Sequence, residues 1–109
     1  MAYNEALAER VRSYLKGIPL LVEKKMFGGI GFLVQGNMAC GVHGENLIVR
    51  IDPQEYKVAL SQPHVRPFDM TGKPMKGWIF VTPEGVEQEQ ELVSWIEKGV
   101  EFAQKLPAK

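Results

Sequence analysis

The sequence is poor in cysteine and histidine, has no net charge and contains no long apolar run, and each shortage excludes a class of protein. Cys40 alone cannot form an internal disulfide, and one cysteine with two histidines is too few for a typical metal centre. Lysine plus arginine equals aspartate plus glutamate at 13 each, so no overall positive field draws the chain to nucleic acid. No segment reads as a signal peptide or a membrane span. We therefore expect a cytoplasmic protein without metal, cofactor or membrane attachment.

What the sequence does contain is the composition of one ordinary globular domain. Hydrophobic residues make up 45% and charged residues 24% of its 109 residues, enough for one modest core. The neutral total conceals a local split, because basic residues outnumber acidic ones by four to one from Lys57 to Lys76. From Glu84 to Glu101 there are six glutamates, and Lys98 is the one basic residue. Such a split is typical of two solvated faces, which can also orient a charged partner.

Hydrophobic periodicity predicts three helices and five strands. Apolar residues recur at helical spacing from Asn4 to Lys16 and again from Val86 to Lys105. Between these helices the period falls to two, in "LVEKKMF", "IGFLV", "MACGV" and "LIVRI", and "GWIFV" is a later strand. A short helix begins at the capping box of Asp52 and Glu55. The order α-β-β-β-β-α-β-α predicts a single two-layer α+β domain over residues 1–109, with an antiparallel five-stranded sheet and helices on one side.

The stretch "KKMFGGIGFLVQGNMACGV" places three glycines within four positions, which could indicate a phosphate-binding loop. Such loops need a lysine and a hydroxyl after the last glycine and a helix that follows, whereas Gly31 is followed by a strand. We therefore interpret the glycines as framework. Gly28 and Gly29 are predicted to turn the first hairpin, and Gly31 to mark a bulge or a close backbone contact. Gly36 and Asn37 are predicted to turn the second hairpin, because both tolerate positive φ.

No catalytic pair is evident around the single thiol. Cys40 lies within a predicted strand, and His43 falls on the opposite face by strand alternation. Convergence of His64 and Asp69 on Cys40 is the remaining route to an activated nucleophile. The more ordinary interpretation is a small buried apolar residue.

One segment, "PHVRPFDMTGKPMK" from Pro63 to Lys76, has no regular pattern and is stiffened by three prolines. Loops of this kind on a rigid scaffold often carry function, although the segment could also simply cover an edge of the sheet. We take it as a candidate interaction surface, formed by Arg66, Phe68, Asp69, Lys73 and Lys76.

The last helix is apolar around about half of its circumference, which is wide for a helix that covers one sheet. Its excess apolar side chains are a candidate dimer contact, formed by Trp95, Ile96 and Phe102. Trp78 and Trp95 are more typical of core positions than of platforms for base stacking.

The "MFGG" tetrad and the sequences that follow it resemble the N-terminal domain of the TfoX/Sxy family. The likeness extends through "GFLVQGNMACGVHGENLIVRID", "PQEYKVAL" and "GKPMKGWIFV" to the last helix with Trp95. This resemblance implies a fold related to secretion chaperones, which are often dimeric, and a link to the regulation of natural competence. The competence regulators carry a second, helical domain, so a standalone form of the N-terminal domain is expected here. The resemblance supplies no catalytic residues.

Three functions remain open at the level of the sequence. The first is a non-catalytic, homodimeric module that binds another protein, with a link to competence or transcription regulation. The second is a nucleic-acid-binding accessory protein with phosphate contacts from five basic residues, Lys24, Lys25, Arg66, Lys73 and Lys76. The third is a small-molecule enzyme.

Overall fold

Six antiparallel strands form one sheet, and three helices pack on one side of it. The computed structural model describes residues 3–26, 28–69 and 72–107. The helices are α1 (Glu5–Leu15), α2 (Tyr56–Leu60) and α3 (Glu89–Lys105). The strands are β1 (Leu21–Met26), β2 (Gly29–Val34), β3 (Asn37–His43), β4 (Asn46–Arg50), β5 (Val65–Pro67) and β6 (Trp78–Val81). Within these described residues, no helix combines the length and the apolar character that crossing a membrane requires.

The predicted α+β class is confirmed, with one strand more than the five expected. The strands lie in the order β1-β2-β3-β4-β6-β5, so β1 and β5 are the two edges of the sheet. The additional strand, β5, pairs with β6 through Arg66 and Phe80, inside the segment expected to be irregular. It has three residues and ends in Pro67, which is tolerated because the strand lies at an edge. A strand of three residues is too short to show the alternation of apolar and polar residues from which a strand is predicted.

The main core lies between the helices and one face of the sheet. Alternate residues of β2, β3 and β4, including Phe32, Val42 and Val49, are fully buried there against Val11 of α1 and Leu92 of α3. Full burial of side chains of this size stabilises the fold by about 1.5–3 kcal/mol each. The period of two in the strands therefore has a direct energetic cause.

The other face of the sheet, which we call the second face, carries a smaller core with no helical residue. It contains Met38, Ile48 and Phe80, and its centre is covered by Phe68 from the loop after β5. The ring of Phe68 lies 5.0 Å from that of Phe80 and 5.9 Å from that of Trp78. The loop folds back because the Phe68 N–H donates to the Trp78 carbonyl and its own carbonyl accepts from Met75. "GWIFV" is thus covered on both faces, as its composition indicates.

A bulge in β3 controls how closely α3 approaches the sheet. Phe32 pairs with Cys40 and the next residue, Leu33, pairs with Met38, so Ala39 is an extra residue. The Ala39 carbonyl points at Gly99 of α3, where an added Cβ would lie only 2.2 Å from its oxygen. No side chain larger than hydrogen fits this contact.

The glycines near the first two hairpins act at slightly different positions from those predicted. Gly28 has φ of 72° and lies in the first turn, whereas Gly29 already belongs to β2 and pairs with Met26. An added Cβ at Gly29 would lie 2.1 Å from the Val42 carbonyl oxygen. Gly31 pairs regularly with Gly41, and the bulge lies at Ala39, across from Phe32 and Leu33. An added Cβ at Gly31 would lie 2.9 Å from the Met26 sulfur. Phe27, which precedes Gly28 in the sequence, lies outside the described residues.

The second turn lies one residue earlier than predicted. Its two central residues are Gln35 and Gly36, with φ of 56° and 84°, as a primed hairpin turn requires. Asn37 is instead the first residue of β3, where its buried amide donates to the Pro107 carbonyl at 2.9 Å. The amide therefore holds the chain beyond α3 against the start of β3.

Replacing Gly28 or Gly29 by alanine should destabilise the fold for two different reasons. Gly28→Ala places a Cβ at positive φ, which costs about 1 kcal/mol. Gly29→Ala forces β2 and β3 apart at Val42, which costs about 1–3 kcal/mol. Thermal melts should show a decrease of roughly 4–8 °C per kcal/mol. Ser13→Ala, on the exposed side of α1, is the control and should melt like the wild type. Added nucleotide should change none of these melts; a nucleotide-dependent rise would mean that the glycines form a phosphate loop.

Candidate functional site

The basic residues predicted to contact phosphates do not form one surface. Arg66 lies on β5 and Lys24 on β1, which are opposite edges of the six-stranded sheet and so about 24 Å apart. Lys24 and Lys25 also point to opposite faces of β1, because Lys24 pairs with Gly31 and Lys25 with Ile30. The structure therefore divides these side chains between separate places.

Four of the five residues of the candidate interaction surface are exposed, but Phe68 is buried. Arg66, Asp69, Lys73 and Lys76 are exposed around the turn between β5 and β6. Phe68 is only 1% exposed and anchors this loop to the second face. The loop thus offers charged side chains to solvent, whereas Phe68, predicted to belong to the same surface, is a core residue.

Neither of the two histidines lies beside the Cys40 thiol. This thiol is fully buried in the main core, where burial raises its pKa to about 12. His43 lies on the second face, with its ring 6.1 Å from that of Phe80, and His64 is exposed before the edge strand β5. Across the ranges that the structure describes, no three histidine, cysteine, aspartate or glutamate side chains are grouped as metal ligands.

Two of the three side chains predicted to contact a second subunit are covered by their own chain. Trp95 is 7% and Ile96 3% exposed, both within the main core. Phe102 is half-buried, with its ring 5.5 Å from the Arg50 guanidinium, which also lies 5.1 Å from the Trp78 ring. The wide apolar face of α3 is needed because this helix packs on the strands with one side and on α1 with the other.

Where α1 and α3 lie side by side they leave an open groove of about 520 Å³. Leu15, Ile96 and Val100 form an apolar floor, to which the partly buried Ile18 and Val93 contribute. The polar side chains at its margin are those of Tyr14, Glu97, Glu101 and Gln104. Sequence reasoning missed this groove, because each helix shows its own apolar stripe but not the space left between the two.

The margin of the groove is acidic. Glu97 and Glu101 follow each other one helical turn apart on α3, and both are exposed. Glu101 lies 3.8 Å from Lys105, whereas no basic partner of Glu97 occurs among the described residues. At the other end of the groove, the Tyr14 hydroxyl donates to Glu89, which also pairs with Arg10 at 3.1 Å. Carboxylates therefore outnumber free cations along this opening.

A two-pronged ion pair connects α1 to the edge of the sheet. The Arg12 guanidinium donates to both carboxylate oxygens of Glu23 in β1, at 2.8 and 2.7 Å. This hydrogen bonding lowers the pKa of Glu23 below its ordinary value. Glu9 accepts from the same guanidinium, so α1 presents a small charged network over β1.

The buried thiol should be inert in the native protein. Cys40 is expected to react with a thiol reagent at pH 8 only as fast as the domain opens, because its thiolate is disfavoured and covered. Labelling followed by mass spectrometry, with and without denaturant, measures this. The free thiol of added glutathione is the control for reagent activity. Rapid labelling of folded protein would contradict the buried position.

The sequence matches a known family model over residues 13–103, the model described as the TfoX N-terminal domain. The match begins in the last turn of α1 and includes all six strands, α2 and most of α3. No curated protein and no solved structure matches the sequence. Since the family model covers far more than half of the 109 residues, the chain belongs to the TfoX N-terminal domain family.

Proposed function

We propose that this chain is a non-catalytic protein-binding module whose groove between α1 and α3 receives an amphipathic helix from a partner protein. The observation that carries the proposal is the apolar floor of this groove, open to solvent between two helices. Family membership supports a regulatory setting for the binding, in competence or transcription. The partner is defined by its chemistry, an apolar stripe flanked by lysine or arginine.

The length of the groove suits a short helical segment. Its α3 side runs from Val93 to Gln104, twelve residues whose eleven steps rise about 16 Å along the helix axis. Three anchors at positions i, i+3 or i+4, and i+7 of a partner helix span about 10 Å. Two turns of such a helix therefore fit along the floor.

The charge of the margin selects the flanking residues of the partner. Glu97 and Glu101 lie four residues apart on α3, which matches lysines four residues apart on a helix alongside. Exposed pairs of this kind contribute about 0.2–1 kcal/mol each and are screened by salt. The apolar anchors would supply most of the affinity, and the carboxylates its preference for basic partners.

Two helical peptides with the same leucine pattern test the proposal, one flanked by lysines and the other by glutamates. We expect the lysine peptide to bind more tightly, in fluorescence anisotropy at low salt. Val93→Glu should weaken this binding at least about tenfold, because it places a charge on the apolar floor. Val58→Glu, on the exposed side of α2, is the matched control and should leave it unchanged.

Reversing the charge of the groove margin gives a second, independent test. Glu97→Lys combined with Glu101→Lys should make the glutamate peptide the tighter ligand. Equal binding of both peptides to the wild type, or equal losses from Val93→Glu and Val58→Glu, would contradict the proposal. In affinity capture from an extract, any partner of the groove should be lost with Val93→Glu and retained with Val58→Glu.

A further inference from the structure

At the long edge of the sheet, β1 has no neighbouring strand on its outer side among the residues that the structure describes. Its six residues are mostly exposed, and β2 covers only one side of their backbone. The other edge, β5, is half as long and contains Pro67. Unpaired edges invite pairing with another strand, and proteins ordinarily protect them. The question for β1 is which strand its exposed backbone and side chains suit.

Three residues of β1 direct their backbone N–H and C=O groups away from β2, toward the open edge. The Leu20 carbonyl accepts from the Gln35 N–H at 3.2 Å, so the backbone groups of even-numbered residues point toward β2. In an antiparallel ladder this direction alternates with every residue. The N–H and C=O groups of Leu21, Glu23 and Lys25 therefore point away from the sheet. Leu20 itself has φ of 60°, outside the strand region, so a pairing segment begins at Leu21.

We propose that β1 pairs with β1 of a second copy of this chain, antiparallel and around a two-fold axis at Lys24. In this register Glu23 lies opposite Lys25 of the other copy, and the same pair occurs twice by symmetry. Both residues direct their backbone groups outward, so each pair closes two hydrogen bonds. The result is one continuous sheet with the helices of both copies on the same side.

The side chains across this junction are complementary on both faces. On the helical side, Glu23 and Lys25 of the other copy bring opposite charges together, in addition to the ion pair from Arg12. On the second face, Val22, which is 54% exposed, lies opposite the half-buried Met26 of the other copy. The cost is one contact between the two Lys24 side chains at the axis.

Other registers fit less well. Two-fold axes between residues would place an outward backbone group opposite an inward one, which the ladder does not allow. An axis at Val22 or Lys25 pairs only three residues of the strand. An axis at Glu23 pairs five, but it opposes two glutamates and sets Val22 against Lys24 of the other copy. The axis at Lys24 also pairs five residues and is the register with two opposite-charge pairs.

Two neighbouring lysines should have opposite effects on association, which makes the test sharp. Lys25→Glu replaces both opposite-charge pairs by like-charge pairs, and should weaken the dimer about tenfold or more because each change acts twice. Lys24→Thr removes the repulsion at the axis and should strengthen the dimer. Sedimentation over tens to hundreds of micromolar measures both, with Arg66→Glu on β5 as the matched control. The wild type should show a species of twice the 12.2 kDa of one chain.

Mixing variants separates a pairing defect from a folding defect. Glu23→Lys and Lys25→Glu should each be monomeric alone, whereas an equal mixture should form a heterodimer, since every cross-strand pair then has opposite charges. A variant that merely misfolds would not be rescued by its partner. These residues do not line the groove between α1 and α3, so peptide binding there is a separate measurement.

Three results would overturn the proposal. The first is a wild type that stays at 12.2 kDa throughout this concentration range. The second is stronger association in both lysine variants, which would mean that the two lysines protect the edge from pairing. The third is a mixture of the charge variants that remains monomeric while both components melt cooperatively.

Discussion

The contact between Gly99 and the Ala39 carbonyl is the constraint on which the helical side of the molecule depends. It lets the α3 backbone approach the sheet at the bulge of β3, closer than a side chain would permit. At that distance the side chains on either side of Gly99, Ile96 and Val100, reach the strands as well as α1. The same placement leaves the groove beside Ile96 and Val100 open, because α1 ends at Leu15 and the chain continues from there to β1. The burial of Ile96 and Val100 and the groove between α1 and α3 therefore have the same geometric origin.

The sheet uses its two faces for different purposes. One face is covered by helices and buries most of the apolar area, while the second is closed by a single loop whose Phe68 fills the space over Phe80. In this arrangement the proline-stiffened loop after β5 closes a small core. The same arrangement leaves the β1 end of the second face least covered, where Val22 is exposed. The open edge and the open groove are thus what remains after both cores have been completed.

Charge is distributed according to these two openings. Carboxylates of α3 line the groove, whereas β1 carries a glutamate and two lysines in adjacent positions. Arg12 links the two regions, since it belongs to α1 and holds Glu23 of β1 in place with a rigid, two-pronged geometry. A chain without net charge can in this way present an acidic surface at the groove and an edge of mixed charge at β1.

The sequence by itself determined the class of fold, the helix α1 and the first four strands. These are local properties: hydrophobic period, capping and turn chemistry act within a few residues. Only the tertiary structure decided that Phe68 and Ile96 are core residues, and that Lys24 and Arg66 lie at opposite edges. It likewise decided that the second turn is centred on Gln35 and Gly36 rather than on Gly36 and Asn37, since the register of β2 and β3 sets that position. The physical reason is that burial and proximity depend on which elements meet, and residues far apart in the chain decide this together.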